Sequence, residues 1–181
     1  MDKFKFKITV IGDGFVGKSS LIKKFTQGSF QRDYIKTIGA QFSKYDEEIE
    51  GDICELVFWD IAGQDEFHFL RPAFYKSSLA AIIVFSIEEN NFGKESLKHT
   101  ALWFKEIKKF CGDIPIILFG NKVDLVDENT LNKEKILKFV KKNDFFGFYP
   151  TSAKTGQNVE EAFRAIIKLL YDKVKNSIIV P

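Results

Sequence analysis

At 181 residues the chain is the size of one domain, with length enough to bury a substantial core. Hydrophobic residues at 45% and charged residues at 29% are ordinary for a soluble globular protein. A formal net charge of +2 is too small to point to nucleic acid, and the excess is scattered lysine, with arginine only at 32, 71 and 164.

Cys54 and Cys111 lie far apart and form no metal or redox spacing, so free thiols in a reducing cytosol are expected. His68 and His99 have no neighbouring ligand residues for zinc, which leaves surface or helix-packing roles. Nothing resembles a secretory leader or a span of roughly 20 apolar residues. These residues end without a cysteine for prenylation and carry no glycine at position 2, which leaves open whether the protein is anchored by a lipid; the expected location is cytoplasmic or peripheral to a membrane. Membrane attachment would need a lipidated tail beyond these residues.

In chain order, strand-like runs alternate with amphipathic helical ones. Phe4, Phe6, Ile8 and Val10 alternate with polar residues as a first strand. A glycine-rich stretch from Gly12 leads into a helix carrying Leu21, Ile22 and Phe25. Residues 28–38 read as polar and irregular. Gln41–Ile49 and Ile53–Trp59 read as an antiparallel hairpin across Glu50-Gly51-Asp52, placed at an edge of the sheet. Leu79–Phe85 and Ile114–Phe119 are buried strands, and a sixth ends at Tyr149. Helices fit 94–110, 131–142 and 157–173, the last with a broad apolar face at Ala162, Phe163, Ile166, Ile167, Leu169 and Leu170. The expected fold is α/β: one domain over 1–181, a six-stranded, mostly parallel sheet with one antiparallel edge strand, and about five helices on both faces.

Gly12-Asp13-Gly14-Phe15-Val16-Gly17-Lys18-Ser19 matches G-x-x-x-x-G-K-[ST] between a strand and a helix. Such a loop curls so that successive N–H groups, from Gly14 through Ser20, face an anion, aided by the helix dipole. Lys18 reaches the β- and γ-phosphates and the Ser19 hydroxyl ligates Mg²⁺. By itself the motif specifies a nucleoside triphosphate and leaves ATP open.

Asn121-Lys122-Val123-Asp124 follows a buried strand, where ligands of open α/β sheets bind. A carboxylate at Asp124 accepts the paired N1–H and N2–H of guanine; adenine lacks that pair and would leave it unsatisfied. Ser152-Ala153-Lys154, after the last strand, supply a backbone N–H to the guanine carbonyl.

With these motifs the chain resembles a Ras-superfamily small GTPase over residues 5–173, most similar to Rab-like members through Thr37-Ile38-Gly39-Ala40-Gln41-Phe42 and Trp59-Asp60-Ile61-Ala62-Gly63-Gln64. The resemblance implies a GTP/GDP switch with Mg²⁺ that hydrolyses GTP slowly and serves membrane trafficking. It implies Mg²⁺ and γ-phosphate contact for Thr37, guanine packing for Phe30, phosphate cover for Tyr34, and Mg²⁺ held through water by Asp60. Gly63 would give its N–H to the γ-phosphate and Gln64 would orient the attacking water, so Gln64, Lys18, Thr37 and Gly63 form the expected catalytic set. Ile35 and Lys36 stand where an arginine finger in cis would lie, which implies an activating protein that supplies arginine past the small Gly14. An exchange factor and effectors reading the two switches, near Phe42, Trp59, Phe67 and Phe74, complete the expected partners. Asp65, Ile61, Gln41 and Phe15 depart from the usual pattern and leave the catalytic set intact. Two other readings are a nucleotide-locked scaffold without turnover and a P-loop ATPase or kinase; Gln64 and Asp124 respectively argue against them.

Overall fold

A computed structural model describes residues 1–26, 31–35, 40–61, 69–127 and 133–179, with backbone alone at 31–35, 133 and 178–179. In chain order the elements are β1 (Lys3–Ile11), α1 (Lys18–Phe25), β2 (Gln31–Ile35), β3 (Ala40–Ile49), β4 (Asp52–Ile61) and α2 (Arg71–Tyr75). There follow β5 (Ala80–Ser86), α3 (Asn91–Cys111), β6 (Ile116–Asn121), α4 (Lys133–Lys142), β7 (Gly147–Thr151) and α5 (Val159–Ile179). One sheet runs β2-β3-β4-β1-β5-β6-β7. Every pairing from β4 to β7 is parallel, and β2–β3 and β3–β4 are antiparallel.

The sheet is buried on both sides where β5 and β6 run almost unbroken in apolar residues, every position of both strands being buried. Ile82 and Val84 of β5 point to one face, while Ala81, Ile83 and Phe85 point to the other. The first face is covered by α1 and α5, through Leu21, Ile22, Phe25, Ala162, Phe163 and Ile166. The second is covered by α2, α3 and α4, through Tyr75, Trp103, Ile107, Ile136 and Val140. The β3–β4 hairpin closes through Glu50 and Gly51, both at positive φ (54° and 83°), the twist a two-residue hairpin turn requires. Asp52 at its end accepts Lys175 at 2.5 Å, Tyr171 Oη at 2.9 Å and the Asp2 N–H at 2.7 Å, tying α5 and the N-terminus to the hairpin. Those donors hold its carboxyl far below the usual range.

The six strands read from the sequence all form, with the hairpin antiparallel. Two expectations need correction. The segment 28–38, read as irregular, contains β2, which pairs antiparallel with β3 from Gln31↔Lys44 to Ile35↔Ala40. The hairpin is therefore not the outermost element, since β2 covers the edge of β3. The pairing is made by backbone groups, so the polar sequence of β2 carries no sign of it.

Phe163 has no solvent exposure and contacts Phe25, Phe58 and Phe119 at ring-centroid distances of 4.5, 5.3 and 5.3 Å. Phe163→Ala should therefore lower the unfolding free energy by about 3–5 kcal/mol in urea titrations. A loss well under about 1 kcal/mol would mean that α5 is not packed as described.

Candidate functional site

The loop between β1 and α1 takes its shape from two glycines. Gly12 (φ 141°) passes so close to β5 that a Cβ would lie 2.1 Å from the Val84 carbonyl oxygen. Gly17 (φ 98°) caps α1, and a Cβ there would lie 2.2 Å from Asn121 Nδ2. No side chain caps α1 and no acidic residue occupies its first turn, so its N-terminal amides face outward as a positive pole. Val16 is fully buried and anchors the loop to the core, whereas Phe15 is exposed at φ 63°. At Gly14 open space surrounds the position of a Cβ.

Lys18 is buried, and its Nζ donates to the carbonyls of Gly12 at 3.0 Å and Asp13 at 2.8 Å, arching over the loop interior. Burial pushes its pKa down, and the carboxylates of Asp60 and Asp13 oppose that shift. Asp60, at the end of β4, is also buried and accepts the Ser19 hydroxyl. Burial pushes its carboxyl up, against the pull of Ser19 and Lys18. A hydroxyl and a buried carboxylate side by side are a hard-oxygen pair of the kind Mg²⁺ takes together with phosphate oxygens. Among the described residues no group of three His, Cys, Asp or Glu could hold a metal alone. The Ser19–Asp60 pair suits a cation shared with a bound anion.

At the other end, Asn121 closes β6 with both ends of its amide engaged: Nδ2 donates to Val16 O at 2.8 Å, and Oδ1 accepts the Ala153 N–H at 3.0 Å. The Ala153 N–H, one of those in the Ser152–Lys154 segment, is thus given to Asn121. Asp124 accepts the Ser152 hydroxyl at 2.6 Å, and Ser152 Oγ in turn accepts the Thr155 N–H at 3.1 Å, so the carboxylate is oriented from behind. Lys122 sits at φ 71° with its Nζ 2.7 Å from Glu88 and 5.0 Å from the centre of the Phe92 ring. Glu88 carries no motif and only the fold shows its part.

Two clefts meet at Ser20. One of about 500 Å³ is lined by Phe15, Gly17, Asn121, Lys122, Asp124 and Lys154; the other, of about 230 Å³, by Ser19, Lys23, Gln41, Ser43 and Asp60. Together they run from Asp124 round the start of α1 to Asp60. Phe30, Thr37, Gly63 and Gln64 lie outside the described residues, as does the side chain of Tyr34, whose backbone belongs to β2.

A glycine-rich loop from β1 into α1, at the carboxyl edge of a parallel sheet, is the architecture of a P-loop protein. Residues 7–172 match the model of the Ras family. Ras-related protein Rab-13 of Canis lupus familiaris is 34% identical over 164 residues, 90% of this chain and 78% of that protein. Ras-related protein Rab-1 of Theileria annulata is 35% identical, covering 94% of this chain and 76% of the relative. GTP-binding protein RHO4 of Saccharomyces cerevisiae is 36% identical, covering 92% and 58%. The chain belongs to the Ras family, as a Rab-like small GTPase and GTP-binding switch.

Because Asn121 satisfies a loop carbonyl and an N–H at once, Asn121→Ala leaves both without that partner. It should cost about 1–3 kcal/mol in urea unfolding. Asp60 makes a second expectation possible. Its carboxyl binds a proton more tightly folded than unfolded, so without divalent ions it subtracts stability as pH rises through the carboxylate range. Asp60→Asn should then raise the urea midpoint at pH 7, with the gap narrowing towards pH 4; an equal gap at both pH values would contradict this.

Proposed function

We propose that this chain binds GTP and GDP with Mg²⁺ in the paired clefts and hydrolyses GTP slowly, changing its switch segments when the γ-phosphate leaves. The observation that carries the reading is the placement of an oriented carboxylate, Asp124, and of the buried Lys18 and Asp60 with the Ser19 hydroxyl bonded to Asp60, at opposite ends of one groove around α1. Asp124 reads the guanine edge. The amides from Gly14 to Ser20 and the Lys18 ammonium hold the phosphates, Lys18 exchanging its carbonyl partners for phosphate oxygens.

Ser19, Asp60 and Thr37 are the proposed holders of Mg²⁺, which when bound neutralises charge on the phosphates. Gly63 donates its N–H to the transferring group and Gln64 orients the water. Phe30 and Tyr34 close over base and phosphates. With Ile35 and Lys36 in place of an arginine, turnover alone is slow, about 10⁻⁴ to 10⁻³ per second. An activating protein supplies the arginine, entering over the open position beside Gly14.

Phe42, Trp59 and Phe74 stack in a half-buried strip across β3, β4 and α2, with centroid distances of 5.5 and 5.7 Å. This strip offers effectors an apolar surface joined to both switches. The protein acts in the cytoplasm in trafficking, and would reach a membrane only if it carries a lipidated tail outside these residues. Among the described residues no helix is long and apolar enough to cross one.

Mass analysis of nucleotide carried through purification should find GDP, and Gln64→Leu should slow single-turnover GTP hydrolysis by at least about tenfold while binding persists. Equal turnover in the two proteins would remove Gln64 from the chemistry, and no turnover in either would favour the locked scaffold. Asp124→Ala should weaken GDP binding about a thousandfold, with a much smaller effect on thermal unfolding of the nucleotide-free chain.

A further inference from the structure

We propose that Asp13 is a positioning residue for the phosphate loop, tethered from outside by Trp103 and His99 of α3, and that the protonation state of His99 tunes how tightly nucleotide is held. The proposal rests on the nucleotide reading above. Asp13 lies inside the loop, where its carbonyl already accepts Lys18 Nζ at 2.8 Å. Its carboxylate points away from the loop and is taken at both oxygens, by Trp103 Nε1 at 2.8 Å and His99 Nδ1 at 2.7 Å. One residue therefore links the phosphate cradle to a helix more than 80 positions later.

The loop needs that tether. Residues 13–15 have little packing of their own: Gly14 has open space where a Cβ would lie, and Phe15 is 87% exposed in a left-handed conformation. Trp103 is a firm anchor, buried in the α3 face with the Arg71 guanidinium 4.5 Å from its ring centre. The His99 side chain is 45% exposed, so solvent reaches its ring.

The sign follows from charge. A protonated His99 gives Asp13 a charge-assisted bond and offsets its negative charge beside the place where phosphates bind. Loss of that proton weakens the bond, so the loop is held less firmly from outside. Among the described residues the other charged groups around His99 are Glu95 with its partner Lys98 and Glu106 on α3, and Arg71 from α2, which is 3.8 Å from Glu106. Of these side-chain types only histidine ordinarily titrates between pH 5 and 8. Protonation should therefore slow nucleotide release.

The test is the rate at which N-methylanthraniloyl-GDP leaves the Mg²⁺-loaded protein, followed by fluorescence from about pH 5.5 to about pH 8.5. Release from the unsubstituted protein should accelerate about three- to tenfold more over this range than release from His99→Gln, whose amide donates to Asp13 at every pH. His99→Ala, at a half-exposed position, should fold normally and release fast throughout. Identical pH slopes for the unsubstituted protein and His99→Gln would overturn the tuning, and slow release from His99→Ala would overturn the tether. A protein that takes up no labelled GDP at any pH would overturn the nucleotide reading itself, and the proposal with it.

Discussion

The site depends on one buried amide. Asn121 is 2% exposed and spends both ends of its side chain on backbone, holding the carbonyl of Val16 in one loop and the N–H of Ala153 in another. β1, β6 and β7 are parallel, so their carboxyl ends open onto the same side of the sheet, but nothing in the sheet itself sets the spacing of the loops that follow. The amide sets it, and Gly17 is required because the same amide presses against its α-carbon. An amide paired at both ends costs little to bury. One stripped of either partner is expensive, which makes the arrangement all-or-none.

Around that joint the charges are poised and not neutralised outright. Burial works against the ammonium of Lys18 and the carboxylate of Asp60, and each eases the other. Lys18 rests on two loop carbonyls, partners weaker than the oxygens of a polyphosphate. The proposed exchange for phosphate oxygens would need no opening of the loop, because the cradle is already curved by Gly12 and Gly17. Such preorganisation is where a phosphoryl-transfer site gains most, since the reaction asks for placed charge more than covalent partners.

The phosphate loop is also joined to the rest of the second face of the sheet. Arg71 of α2 lies over Trp103, and Trp103 holds Asp13. The neighbouring Tyr75 donates to Glu106 at 2.9 Å, so α2 and α3 share a polar seam beneath the loop. Next to Tyr75 on α2, Phe74 continues the aromatic strip that starts at Phe42. Phosphate cradle and candidate effector surface thus meet through one short helix.

Much of this was written locally in the chain. The alternation of β1, the unbroken apolar runs of β5 and β6, the G-x-x-x-x-G-K-[ST] loop and the Asn121–Asp124 segment are legible because each acts through its own backbone geometry or its place directly after a strand. Even the apolar face of α5 is in the spacing of Phe163, Ile166 and Leu170. Pairing with a distant edge leaves no such mark, so β2, whose ladder to β3 is made by main-chain groups under a polar sequence, reads as loop. The same holds for Glu88 against Lys122, and for His99 and Trp103 against Asp13. These side chains are ordinary where they stand in the sequence, and only the crossing of α3 beneath the first loop turns them into partners.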